Sequence, residues 1–175
     1  MITGKNHIGY QLSATGTIKF KTVNPKLNAE TEWDFHEASI DEVDEAAQLA
    51  SKAFETYRNY SGERKAEFLK TIAEEIEALG EELLETYMAE TGLSKGRALG
   101  ERGRTLFQLR SMAELLLEGS WVEAIIDTAI PDRQPVPKPD LRKMLIPIGP
   151  IAVFGSSNFP LAYSTAGGDT ATSLA

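Results

Sequence analysis

A chain of 175 residues with 42% hydrophobic and 25% charged side chains is long enough to close one core and too apolar for a disordered or fibrous segment. Its formal charge of -8, with no segregated basic patch, disfavours nucleic acid and anionic membrane as partners. The absence of cysteine excludes disulfides, thiolate metal sites and thiol chemistry from these residues. No apolar run approaches the roughly 20 residues that a spanning helix needs. Met1 to Lys5 carry no apolar leader core, which makes cytoplasm the expected compartment.

Residues 1–38 read as strands or a hairpin. Ile18 to Val23 alternate apolar and polar side chains before Asn24-Pro25, the pattern of a half-exposed edge strand closed by a turn. From Ser39 the period becomes helical, with Val43, Ala46, Ala47, Ala50, Ala53, Phe54 and Tyr57 recurring and Ser39 and Glu42 spaced as a capping box. A second helix follows Ser61, carrying Leu69, Ile72, Ala73, Ile76 and Leu79 on one face and ending at Gly80. A shorter one holds Leu83, Leu84, Tyr87 and Met88 before Thr91-Gly92. The next starts near Ser94, buries Leu106, Leu109, Met112, Ala113, Leu116 and Leu117, and stops where Gly119 supplies a left-handed cap. Residues 39–119 therefore form a helical layer.

Within that layer Glu74, Glu75, Glu77, Glu81 and Glu82 fall off the apolar stripe and read as a solvated face. His7 and His36 have no ligand-spaced partner, and no metal site is expected. Gly96, Gly100 and Gly103 lie in helical register, where small residues permit close packing, and do not match a phosphate loop. Trp121 to Asp127 and Leu141 to Ile146 are β-prone, and Pro131, Pro135, Pro137 and Pro139 stiffen the connector between them. Residues 120–147 thus read as a projecting β arm whose exposed edges call for a partner chain, most simply a second copy of this one.

In residues 148–175, Ile151 to Phe154 form a continuous apolar run suited to a central parallel strand covered on both faces, with Phe154 mostly in the core. Gly155 to Asn158 make a polar turn, and Pro160 suits the first turn of a slim helix. This is the first strand, turn and helix of a Rossmann-like doubly wound sheet, whose ligands sit beyond the carboxyl ends of the strands. Phe154, Gly155, Ser156 and Ser157 are accordingly candidate cofactor contacts, although both serines equally suit a plain turn. Asn158 likewise suits a turn asparagine bonded to its own backbone.

The run Gly149-Pro150-Ile151-Ala152-Val153-Phe154-Gly155-Ser156-Ser157-Asn158-Phe159-Pro160-Leu161-Ala162, with Ala166-Gly167-Gly168-Asp169-Thr170, resembles the aldehyde dehydrogenase superfamily, whose hallmark is Asn-Phe-Pro. Glu90-Thr91-Gly92-Leu93, Gly100-Glu101-Arg102-Gly103-Arg104-Thr105 and Gln108-Leu109-Arg110 resemble the same family's helical region, so the likeness covers essentially the whole chain. Ser156-Ser157 in place of the commoner Pro-Trp, with Gly167-Gly168-Asp169-Thr170, resembles the branch that includes α-ketoglutarate semialdehyde and NADP-dependent fatty aldehyde dehydrogenases.

The resemblance implies an α/β chain, the N-terminal part of an aldehyde-dehydrogenase-like fold, using NADP or NAD to oxidise a small aldehyde to a carboxylic acid as a homo-oligomer. It implies a cysteine thiolate that attacks the aldehyde, hydride departing to nicotinamide, and a glutamate-activated water that hydrolyses the thioester. Asn158 matches the family asparagine whose side-chain N–H steadies the oxyanion. The family's cofactor-binding lysine, general-base glutamate and cysteine are expected beyond Ala175, which leaves these 175 residues without turnover of their own. Two other readings stand beside this one. Gly155-Ser156-Ser157 could be a serine-hydrolase elbow, although Phe159 stands where its last glycine belongs and both histidines lie upstream. Alternatively, the helical layer and arm could form a non-catalytic interaction module.

Overall fold

The structure is a computed structural model describing residues 2–175, so Met1, at the head of the segment weighed as a leader, lies outside it. Three small antiparallel pairs open the chain. Strand β1 (Asn6–Ile8) pairs with β2 (Gln11–Ser13), β3 (Lys19–Phe20) with β6 (Phe35–His36), and β4 (Val23–Asn24) with β5 (Ala29–Glu30). The alternating segment Ile18 to Val23, expected as one strand, is thus divided between two partners. Asn24 accepts the amides of Lys26 and Leu27 on Oδ1 at 3.0 and 3.2 Å, and this side-chain-closed turn sets the β4–β5 hairpin.

Helix α1 (Ile40–Tyr57) begins with the expected capping box. Ser39 Oγ accepts the Glu42 amide at 3.2 Å while the Glu42 carboxylate accepts the Ser39 amide at 2.8 Å. The same carboxylate accepts the Thr15 amide at 3.1 Å, tying the helix to the strand region. Hydrogen bonds from the Ser13 hydroxyl and from the Ser39 and Thr15 amides hold the Glu42 carboxyl far below the usual carboxylate range. The apolar stripe of α1 stays largely uncovered among the described residues; Val43 is 57% exposed.

The core lies between α2 (Gly62–Ala78) and α4 (Lys95–Glu118). Ala66, Leu69 and Ala73 face Leu106, Leu109, Ala113 and Leu116, with Ala171 of the last helix completing the cluster. Alanines on α2 let the two backbones approach so that the leucines of α4 fill the interface. Ser61 and Ser94 cap the starts of α2 and α4, and Gly119 closes α4 at φ 78° as expected. Leu79 and Leu117, assigned to the core by periodicity, are exposed because they sit at helix ends where the facing helix no longer covers the stripe. Helix α3 (Gly80–Thr91) packs on α4 through a smaller cluster of Leu84, Tyr87 and Ala98.

Two further expectations fail in the helical layer and arm. Gly100 and Gly103 do not mediate close packing, since a Cβ on either would meet nothing within 4 Å. The segment expected as a strand from Trp121 starts instead as a 3-10 turn over Ser120–Val122, and only Ile125–Asp127 (β7) pairs antiparallel with Leu141–Lys143 (β8). A bridge between Ile130 and Lys138 extends this arm, and Lys138 pairs with Asp127 across it. Its side chains Ile125, Ile126 and Leu141 are exposed.

The last segment departs furthest from expectation. Ile151 to Phe154 form no strand, because a buried parallel strand requires ladder partners on its edges and none pairs with it among the described residues. Phe154, expected in the core, is consequently 88% exposed. Pro160 opens a single turn rather than a helix, with the Tyr163 amide donating to the Phe159 carbonyl at 3.0 Å. Helix α5 starts only at Gly168 and runs to Leu174. Between them Ala162 O accepts the Gly168 amide at 3.1 Å. A Cβ on Gly167 would lie 2.5 Å from that same carbonyl, so this fold-back requires glycine there.

Candidate functional site

The candidate residues occupy a loop that folds back on itself. The Ser156 amide donates to Tyr163 O at 2.9 Å, closing a ring of backbone around Ser157 to Ala162. A Cβ on Gly155 would come within 3.0 Å of that Tyr163 carbonyl, which favours glycine at the base of the loop. Inside the ring Ser156 Oγ lies 2.5 Å from Asn158 Oδ1. An amide oxygen only accepts, so Ser156 must donate, and both N–H groups of Asn158 Nδ2 remain free of protein partners among the described residues. Asn158 is exposed, and its carboxamide therefore presents donors to the outside.

Beside the loop lies an open cleft of about 910 Å³, lined among others by Thr22, Glu90, Gly155, Ser156, Ser157 and Thr165. Thr22 Oγ1 donates to Glu90 Oε1 at 2.7 Å, which joins the β4 end of the strand region to α3 on the opposite wall. The structure thus brings Gly155, Ser156 and Ser157 together in one cleft, whereas Phe154 and Asn158 are outside its lining.

The loop is held from beneath by residues that sequence reasoning did not single out. Glu101 on α4 is 3% exposed and accepts four hydrogen bonds. Tyr87 Oη and Arg97 Nε reach Oε1 at 2.8 and 2.7 Å, and the amides of Leu161 and Ala162 reach Oε2 at 2.9 and 3.3 Å. Burial pushes the Glu101 carboxyl up, but the Leu161 amide, Arg97, Tyr87 and the Ala162 amide together outweigh it and hold the group below the usual carboxylate range. Arg97 also lays its guanidinium 4.4 Å from the Phe159 ring centroid and points Nη2 at Asn158 O, 3.4 Å away. Phe159 meets Tyr163 edge-on at 5.3 Å, and Arg104 Nη2 donates to Tyr163 Oη at 2.8 Å. A signal was present: Glu101 shares the buried stripe of α4 with Ala98, Thr105 and Leu109, and an acidic residue on an apolar stripe needs a partner.

The chain is 48% identical to an α-ketoglutaric semialdehyde dehydrogenase of Acinetobacter baylyi over 98% of its own length and 33% of that protein's. It is 43% identical to α-ketoglutaric semialdehyde dehydrogenase 2 of Azospirillum brasilense over 99% of its own length and again 33% of the relative's. The chain therefore spans about a third of these curated relatives. A crystal structure of an NAD-dependent benzaldehyde dehydrogenase from Corynebacterium glutamicum superposes with a TM-score of 0.65, covering 77% of this chain and 28% of that one at 22% identity, a likeness of fold. The model of the aldehyde dehydrogenase family matches residues 12–174, nearly the whole length. On this match and these relatives, the chain belongs to the aldehyde dehydrogenase family.

Proposed function

We propose that this chain supplies the oxyanion donor and part of the dinucleotide site of an NAD(P)-dependent aldehyde dehydrogenase, with α-ketoglutarate semialdehyde as its substrate. The observation that carries the reading is the carboxamide of the exposed Asn158, whose oxygen is engaged by Ser156 and whose Nδ2 donors have no protein partner among the described residues. A neutral amide suits a developing oxyanion because it donates without titrating, and its donors are already aimed before the charge forms. The substrate assignment draws on the two bacterial relatives named for that aldehyde.

The cleft beside the loop fits a dinucleotide in size, with the hydroxyl-bearing Ser157 and Thr165 among its lining residues and the Ser156 hydroxyl proton given to Asn158. NAD or NADP bound there would supply the hydride acceptor. Gly155, Ser156 and Ser157 contact it in this reading, while Phe154, outside the cleft lining, does not; NAD and NADP are both compatible with these groups. The exposed Ile125, Ile126 and Leu141 of the arm fit a homo-oligomeric interface.

The test uses the full-length protein that carries this chain. Asn158→Ala should lower kcat by about 10²- to 10³-fold, the effect of losing one oxyanion donor, while cofactor affinity stays nearly constant. Asn158→Asp should be at least as damaging, since it places negative charge beside the oxyanion. Ser157→Ala should act on cofactor affinity instead. The 175 residues alone, having no cysteine, should not reduce NAD(P) in the presence of an aldehyde. A normally folded Asn158→Ala enzyme with unchanged kcat refutes the assignment and leaves Asn158 as a turn residue.

A further inference from the structure

We infer that Glu101 is a positioning residue for Asn158: its buried carboxylate, with Arg97, sets the height and tilt of the loop that presents the catalytic amide. The inference rests on Asn158 being the oxyanion donor. Four observations carry it.

Glu101 Oε2 accepts the successive amides of Leu161 and Ala162, so one carboxylate oxygen holds the backbone three and four residues after Asn158. Its other oxygen is held by Tyr87 of α3 and Arg97 of α4, which fixes the carboxylate to both helices, against whose Leu84, Tyr87 and Ala98 cluster the loop's Leu161 side chain also packs. Arg97 then closes the circuit from the other side, with Nη2 at Asn158 O and its guanidinium face on the Phe159 ring. The loop has no strand to hold it, since Ile151 to Phe154 pair with nothing among the described residues. Leu161 and Ala171 anchor the segment further along by packing, and the nearest polar ties between Asn158 and the helical layer are those made by Arg97 and Glu101 of α4. A carboxylate suits this task better than an amide, because it accepts four donors with no N–H of its own to satisfy.

A displacement of about 1 Å in an oriented catalytic group can cost about 10²-fold in rate, and that sets the expected magnitude. The experiment compares Glu101→Ala, Glu101→Gln and Asn158→Ala in the full-length protein. It reads hydrogen exchange of the 155–165 segment, kcat and the cofactor dissociation constant. Glu101→Ala should speed exchange of the Leu161 and Ala162 amides by about tenfold or more, leaving the α2–α4 core protected. Its kcat should fall by about 10²-fold with cofactor affinity changed no more than about twofold. Glu101→Gln keeps one acceptor of the right length, and should recover part of both the protection and kcat.

Unaltered exchange in a folded Glu101→Ala overturns the inference, as does a loosened loop with normal kcat. Parallel losses in kcat and cofactor affinity also overturn it, because they mark general damage to the domain. Where Glu101→Ala fails to fold, Glu101→Gln decides by the same readings. A normal kcat in Asn158→Ala marks failure of the oxyanion reading itself and removes the inference with it.

Discussion

Replacing Tyr87 by Phe removes one oxygen from the interior and leaves the ring in place. Tyr87 is 6% exposed and donates to Glu101 Oε1 at 2.8 Å, so the variant deletes one of the four donors to a buried carboxylate with little change in packing. A hydrogen bond to a charged group is worth about 1.5–3 kcal/mol. The lower end applies, because Arg97 Nε remains on the same oxygen, and we expect a loss of about 1.5 kcal/mol near neutral pH. For a chain of this length that is roughly 3–6 °C in Tm. The pH dependence identifies the cause. The Glu101 pKa is lowered in the folded state, so its contribution is complete above the ordinary carboxylate range and is lost as pH falls through the folded value. Tyr87→Phe removes one of the bonds that lower it, and the folded pKa moves up. The gap between the two proteins should therefore be widest near pH 7 and shrink in acid, where the carboxylate is protonated in both. Urea melts of wild type and variant across pH 3 to 8 measure this, and a gap constant over that range refutes the ionic account in favour of altered packing.

Gly100→Ala and Gly103→Ala should each stabilise the chain by about 0.5–1 kcal/mol in the same melts, since a helix-interior glycine costs backbone entropy and a Cβ at either site enters open space. Destabilisation by either would mean the α4 face is occupied. Gly167→Ala should lower the urea midpoint, because its Cβ would press on the Ala162 carbonyl and Tyr163 Cα at 2.5 and 2.8 Å, and a neutral result would contradict the fold-back described there. Light-scattering mass over a dilution series should exceed that of a monomer at high concentration, and Ile126→Lys on the arm should reduce it; a strict monomer throughout counts against the arm as an interface.

Features read correctly from sequence are those whose partners lie within a turn or two. Ser39 and Glu42 are three residues apart and satisfy each other's backbone, and Gly119 ends α4 through its own φ. The period-3.6 stripes of α2 and α4 locate the core because each helix faces the other along most of its length, and they mislead only at Leu79 and Leu117 where that contact runs out. A strand is different in kind. The apolar run Ile151 to Phe154 specifies what a covered strand would look like, but a strand exists only where its edges are paired. Glu101 falls between these cases. Its place on a buried stripe is visible in the spacing from Ala98 to Thr105, whereas the amides it serves lie about sixty positions downstream and carry no side-chain signature.

That separation bears on how the site achieves order without burial. In the role proposed for it, the Asn158 amide must stay exposed to meet a substrate, so packing of its own side chain cannot immobilise it. In this chain the constraint is moved to the backbone on its C-terminal side and to its carbonyl, both gripped by a Glu–Arg pair rooted in α4. Ser156 fixes the remaining freedom, the rotation of the carboxamide, by occupying Oδ1 and turning Nδ2 outward. Each of these bonds leaves the two Nδ2 donors unspent. The acidic residue that the stripe of α4 tolerates at position 101 is thus explained by what it holds: an apolar side chain there would leave the Leu161 and Ala162 amides and the Tyr87 hydroxyl without their acceptor.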